Sequence, residues 1–163
     1  MLARLAAFGH RAALVGPHGH GKTTLLEDLA ARLEGRGFRL RAVTLHEGDR
    51  RLTTDQERNF LADLTPRDCL LLDGAEQLSP RSWRRLEQGS RAAGGLVVTS
   101  HRAGLLPTLL ECRTTPELLA GLIQELLGPD ANGSRPTAED LYARHRGNLR
   151  DALRELYDLW AER

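Results

Sequence analysis

The chain has 163 residues, 40% of them hydrophobic, and a formal net charge of +1. This size and apolar content suit one compact domain, or a core with a small appendage. The near-zero charge gives no general attraction to nucleic acid or to an anionic membrane, and no apolar stretch approaches the ~18 residues that span a bilayer. The two cysteines, Cys69 and Cys112, form no CxxC pair, and the apolar part of the N-terminal segment is too short for a secretory signal. We therefore expect a cytoplasmic protein with no membrane partner.

The first two thirds of the chain alternate short apolar runs with amphipathic segments. Apolar runs predict strands at 11–15, 39–45, 69–72, 95–99 and 109–112. Helices are predicted at about 22–36, at about 54–64, and from Pro80 onward with Ser79 as N-cap. The last of these helices should bury Trp83 and Leu86, and it should expose four arginines: Arg81, Arg84, Arg85 and Arg91. Alternating strands and helices predict a five-stranded, mainly parallel sheet covered by helices.

After Arg113 the pattern contains helices only. The predicted helices run from Pro116 to Gly128, from about 137 to 146, and from Asn148 toward the end of the chain. A turn-rich linker is predicted at 128–136. The inward face of the last helix should carry six apolar residues: Leu149, Ala152, Leu153, Leu156, Leu159 and Trp160. We therefore divide the chain into an α/β core, 1–113, and a three-helix appendage, 114–163.

Residues 16–23 read GPHGHGKT and match the phosphate-loop pattern GxxxxGK followed by Ser or Thr. The loop lies between a predicted strand and a predicted helix, where its backbone N–H groups and the helix N-terminus converge on an anion. Lys22 is expected to neutralise the β- and γ-phosphates, and the Thr23 hydroxyl to ligate Mg²⁺. Every one of the 23 basic residues except Lys22 is arginine, which singles out this position. The predicted nucleotide-binding residues are Gly16, Pro17, His18, Gly19, His20, Gly21, Lys22, Thr23 and Thr24.

An acidic residue follows the most apolar predicted strand. CLLL at 69–72 ends on Asp73, which we expect to order the magnesium ion through its water shell. A glutamate that polarises the attacking water often follows directly, but Gly74 occupies that position and Glu76 is the nearest carboxylate. Glu76 is our candidate catalytic base, with a cap or salt bridge to the following arginine-rich helix as the alternative. Glu47 and Asp49 are weaker candidates for positioning the water.

The fourth predicted strand should lie beside the phosphate-loop strand and ends in polar residues. Thr99 or Ser100 is our candidate for sensing the γ-phosphate at that tip. For Arg102, near the same tip, the alternatives are a phosphate contact in the same subunit, a role in a neighbouring subunit and a solvated helix start.

The last predicted helix opens with HRGNLRDALRELY, from His145 to Tyr157. This segment resembles the second sensor of AAA+ ATPases, in which a GNxR-like sequence opens a lid helix and its arginine reaches the γ-phosphate. Gly147, Asn148 and Arg150 match that pattern, which makes Arg150 a candidate catalytic residue; a surface arginine is the alternative. Together with the phosphate loop, Asp73 and the polar strand tip, the order of parts resembles AAA+ over essentially the whole chain. It departs from that class in its short length and in DGAE replacing adjacent Asp-Glu.

The resemblance implies a protein that binds ATP or ADP with Mg²⁺ and hydrolyses ATP to drive or gate a partner interaction. It also implies a protein partner or self-association, since relatives commonly form rings. A nucleoside or small-molecule kinase with the same core is one alternative. A nucleotide switch without turnover, or a module whose exposed arginine helix contacts nucleic acid, is the other.

Overall fold

The computed structural model describes residues 1–128 and 136–161, and these fall into two compact units. The first comprises Met1–Gly16 and Lys22–Glu111, and the second comprises Pro17–Gly21 and Cys112–Arg163. The predicted linker at 128–136 lies mostly outside the described residues. Among the described residues, no helix has the length and apolar character needed to cross a membrane.

The first unit is an α/β layer structure built on a parallel sheet. Its helices are α1 (Leu2–Ala7), α2 (Lys22–Glu34), α3 (Thr54–Leu61) and α4 (Pro80–Gly89). Its strands are β1 (Arg11–Val15), β2 (Arg39–Thr44), β3 (Asp68–Asp73), β4 (Gly95–Ser100) and β5 (Thr108–Glu111). The strand order is β2-β3-β4-β1-β5, and all four pairs of neighbours are parallel. The predicted sheet is confirmed, and so is the place of β4 beside β1.

Burial follows the apolar pattern of the strands and of the helix faces. Leu70, Leu72, Leu96 and Val98 are fully buried, because both faces of the central strands are covered. On α4, Trp83 and Leu86 face the core as predicted. The four arginines predicted to be outward, Arg81, Arg84, Arg85 and Arg91, are all exposed.

The first unit differs from the sequence prediction by one additional helix and at the ends of two others. α1 was not predicted; only its Leu5 is buried, so it carries little apolar periodicity. α2 ends at Glu34, before the predicted stop at Gly37. α3 ends at Leu61, because Ala62 is extended and Asp63 has a φ of 50°, which a helix cannot continue through.

The described part of the second unit contains three helices: α5 (Pro116–Leu127), α6 (Ala138–Arg144) and α7 (Leu149–Ala161). Thr115 and Thr137 cap α5 and α6 through their side-chain oxygens. The buried cluster of this unit consists of Leu119, Ile123, Leu141, Leu149, Ala152 and Leu156. The prediction that Leu159 and Trp160 face inward was wrong, since they are 37% and 39% exposed. The last turn of α7 extends beyond the buried cluster.

Candidate phosphate-binding site

The phosphate loop connects β1 to α2, as the sequence predicts. The Gly16 N–H donates to the Ser100 carbonyl (3.1 Å), which ties the start of the loop to the end of β4. Gly19 and Gly21 have φ angles of +74° and +75°, a left-handed conformation that glycine adopts without steric cost. The two glycines therefore give the loop the curvature that an anion-binding backbone requires.

Lys22 opens α2 and has little exposure to solvent. Its side chain is 8% exposed, and its Nζ donates to the Gly16 carbonyl over 2.8 Å. A buried ammonium is costly without polar partners, and the Gly16 carbonyl is one such partner. The only lysine of the chain thus lies where the phosphate loop meets the start of α2.

Thr23 and Asp73 are 50 residues apart in the sequence and hydrogen-bonded in the fold. The Thr23 hydroxyl donates to Asp73 Oδ2 over 2.8 Å. The two side chains offer a hydroxyl and a carboxylate, the oxygen ligands that Mg²⁺ prefers, and Mg²⁺ usually keeps several of its waters. The donor set fits a magnesium ion held partly through water. The described residues contain no cluster of three or more His, Cys, Asp or Glu side chains of the kind that encloses a metal.

Thr99 connects the ends of β3 and β4. Its hydroxyl donates to Asp73 Oδ1 and accepts a hydrogen bond from the Gly74 N–H (2.8 Å). β3 and β4 are neighbours in register up to Leu72 and Val98, so Asp73 and Thr99 come next on their strands and lie side by side. Gly74 has a φ of +86°, and a Cβ there would lie 2.7 Å from the Leu45 carbonyl oxygen, so the turn after β3 requires glycine.

Ser100, the other candidate sensor, has different partners. It is 2% exposed, and its hydroxyl donates to the Arg102 carbonyl (2.9 Å) and accepts from the Arg102 N–H (3.3 Å). These bonds shape the turn after β4. Of the two candidates, Thr99 is the one whose side chain contacts Asp73.

Glu76 lies in a 3₁₀ turn, Ala75–Gln77, directly after Gly74. Its Oε1 is 3.2 Å from His101 Nε2, so the carboxylate pairs with the residue that follows β4. Its Oε2 is buried and has no hydrogen-bond partner among the described residues. The predicted alternative of a salt bridge to the arginine-rich helix α4 is not the arrangement found. No local sequence pattern pointed to the pairing of Glu76 with His101.

The remaining candidates lie elsewhere. The Asp49 carboxylate accepts from the His46 N–H (2.8 Å) and so stabilises its own loop, while Glu47 is exposed. In the second unit, Arg150 is an exposed residue of the first turn of α7.

Solved structures with the same fold are known. Three structures of RuvB from Thermotoga maritima match with TM-scores of 0.62, 0.60 and 0.60 at 21%, 23% and 21% identity. Two are single-substitution variants, and the third is described as a Holliday junction branch migration motor. Each match covers 94% of this chain and 55% of the RuvB chain, so this chain spans about half the length of those structures. No protein-family model and no curated protein matches the sequence.

The similarity at this level of identity concerns the fold. The chain shares with these RuvB structures the fold of a five-stranded parallel sheet with flanking helices, followed by C-terminal helices.

Proposed function

We propose that the protein binds ATP with Mg²⁺ at the phosphate loop and hydrolyses it. The observation that carries the proposal is the hydrogen bond between Thr23 and Asp73 (2.8 Å), which joins the two predicted magnesium-ordering residues from distant parts of the sequence. Lys22 at the foot of the loop supplies the positive charge for the phosphates. Thr23 and Asp73 would hold a magnesium ion, which would supply further positive charge toward the phosphates.

We assign the remaining roles as follows. The loop from Gly16 to Thr24 binds the phosphates, and Thr99 holds Asp73 and senses the γ-phosphate. Glu76 accepts a proton from the attacking water, and Arg150 contacts the γ-phosphate from the appendage. Residues 1–113 form the nucleotide-binding core and residues 114–163 a lid. ATP binding and turnover change the conformation of the lid. A protein partner, or a second copy of the chain, recognises that conformation in the cytoplasm.

A nucleotide switch without turnover is the second candidate, and the state of Glu76 favours it. A water molecule has to reach a carboxylate oxygen before that oxygen takes its proton, and Oε2 is buried while Oε1 pairs with His101. In this conformation Glu76 is therefore not arranged as a base. Hydrolysis requires the carboxylate to move when ATP binds, whereas a switch does not.

The test is ATP binding and phosphate release by the wild type, Lys22→Ala and Glu76→Gln. We expect Lys22→Ala to lose binding and turnover, and Glu76→Gln to bind ATP with turnover lowered by about 100-fold. Arg32→Ala is the matched control, because Arg32 is a cation on the same helix that is exposed and paired with Asp28. Wild-type turnover in a folded Lys22→Ala variant would contradict the proposal.

The same assay separates the other candidates. Tight ATP binding without phosphate release in the wild type identifies the switch. Phosphate transfer only when a metabolite acceptor is added identifies a kinase. Stimulation by nucleic acid that falls steeply with salt identifies a role for the exposed arginines of α4.

A further inference from the structure

The backbone of the phosphate loop at Gly19 lies against the side chain of Asn148. A Cβ atom at Gly19 would be 1.7 Å from Asn148 Oδ1 and 2.3 Å from its Cγ. No side chain larger than hydrogen fits there while Asn148 is in place. The two residues belong to the same compact unit, which contains Pro17–Gly21 together with the C-terminal helices.

Asn148 is held in this position by α7. Its Oδ1 accepts from the Asp151 N–H (3.2 Å), the capping bond of the helix, and its Nδ2 donates to Asp151 Oδ2 (2.6 Å). Both polar atoms of the amide are therefore fixed by the first turn of α7. The side chain that covers Gly19 is rigid for this reason.

His20 and Gly147, the sequence neighbours of Gly19 and Asn148, are also connected, through the Thr114 hydroxyl. His20 Nδ1 is 3.5 Å from the Thr114 hydroxyl, and that hydroxyl donates to the carbonyl of Gly147 (2.8 Å), the residue before Asn148. Thr114 is 8% exposed. The Tyr142 hydroxyl completes the group by donating to the Thr114 carbonyl (2.6 Å).

We propose that Asn148 is a positioning residue for the phosphate loop. By packing on Gly19, its side chain holds the loop backbone in the conformation that receives phosphate, and it couples the start of α7 to the occupancy of the loop. The inference rests on the nucleotide binding proposed above. It gives Asn148 a role besides capping α7, and it explains why Gly19, a variable position of the phosphate-loop pattern, has to be glycine in this chain.

Gly21 provides an internal control. Its φ of +75° is within one degree of that of Gly19, so alanine at either position is strained by a positive φ. A Cβ at Gly21, however, meets nothing within 4 Å. The two glycines have nearly the same φ and differ in the contact with Asn148.

The experiment is a double-mutant analysis of ATP affinity in the full chain with Mg²⁺. Gly19→Ala weakens binding, and adding Asn148→Gly relieves the clash and restores affinity by about tenfold. The same Asn148→Gly change gives no recovery in a Gly21→Ala background. Glycine is the suitable replacement for Asn148, because glycine at an N-cap lowers the stability of the protein by only a few tenths of a kcal/mol.

The single variant Asn148→Gly keeps the test decisive if Gly19→Ala does not fold. We expect it to bind ATP about 2- to 30-fold more weakly than the wild type, with circular dichroism and thermal midpoint nearly unchanged. Unchanged ATP affinity in Asn148→Gly, no recovery in the Gly19 double variant, or equal recovery at Gly21 would overturn the inference.

Failure of the proposed nucleotide binding gives a different result from failure of the Asn148 inference. If the wild type and Lys22→Ala bind ATP equally, nucleotide binding at the loop is wrong and the role of Asn148 falls with it. If Lys22→Ala loses binding but Asn148→Gly has no specific effect at Gly19, nucleotide binding stands and the inference alone is wrong.

Discussion

Among the single side chains of the site, Thr99 is the most constrained. It is fully buried, and its hydroxyl both donates to Asp73 and accepts from the Gly74 N–H. A methyl group in its place would leave the Gly74 N–H and an Asp73 carboxylate oxygen without their partner. Such a loss costs about 1–3 kcal/mol for a fully buried group and less here, because Asp73 and Gly74 are only partly buried. The hydroxyl thus orients the carboxylate that we assign to magnesium.

We expect Thr99→Val to lower the turnover of ATP by about 10- to 100-fold while changing ATP affinity much less, because orientation of Asp73 matters most in the transition state. Thr99→Ser is the control, since it keeps the hydroxyl. The measurement is kcat and the Kd for ATP in all three proteins. Equal kcat in wild type and Thr99→Val would exclude the sensor role.

At the opposite end of β3, a buried carboxylate anchors two strands. Asp68 is 1% exposed and accepts from the Thr65 hydroxyl (2.7 Å), the Thr65 N–H (2.7 Å) and Arg39 (3.0 Å). The Thr65 hydroxyl contributes most to lowering the pKa of Asp68 from its ordinary value of 3.8 to about 2. The ionised Asp68 carboxylate therefore stabilises the pairing of β2 with β3.

The sign of the resulting pH dependence follows from the lowered pKa. As the pH falls, Asp68 is protonated in the unfolded chain before it is protonated in the folded chain. The stabilisation of the fold by the ionised carboxylate is therefore complete above the ordinary pKa of 3.8 and is lost on acidification through about 2. We expect the urea midpoint of the wild type to fall in that window and the fall to be smaller in Asp68→Asn. At neutral pH, Asp68→Asn should be less stable by about 2 kcal/mol. Asp55→Asn, at an exposed carboxylate, is the control and should behave as wild type.

For the chain as a whole, nucleotide binding should appear as thermal stabilisation. A ligand at about 100 times its Kd adds about 2.7 kcal/mol to the folded state. In a domain of this size each kcal/mol raises the melting temperature by about 2–4 °C. We therefore expect Mg²⁺ and ATP to raise the melting temperature by about 5–10 °C in the wild type and by nothing measurable in Lys22→Ala. An equal shift in both proteins would place ATP elsewhere on the chain.

Local sequence patterns predicted much of this fold. Strands and helix starts are predicted by residues that are adjacent in the sequence. Examples are the apolar run that ends at Val15, the glycines before Lys22 and the Ser79–Pro80 helix start, so most of the strands and helices could be predicted. α1 was missed because a single buried leucine provides no periodicity. The phosphate loop and Asp73 were located for the same local reason, with their roles remaining predictions.

Contacts between residues far apart in the chain could not be predicted from local sequence patterns. The side-by-side placement of Asp73 and Thr99 depends on β3 and β4 being neighbours in the sheet, and the Glu76–His101 pair depends on the turns that follow those strands. The approach of Asn148 to Gly19 depends on how α7 begins. Each of these pairs is set by packing of elements far apart in the chain. The sequence by itself therefore predicts which residues bind a phosphate, and the tertiary structure decides which partners hold them in place.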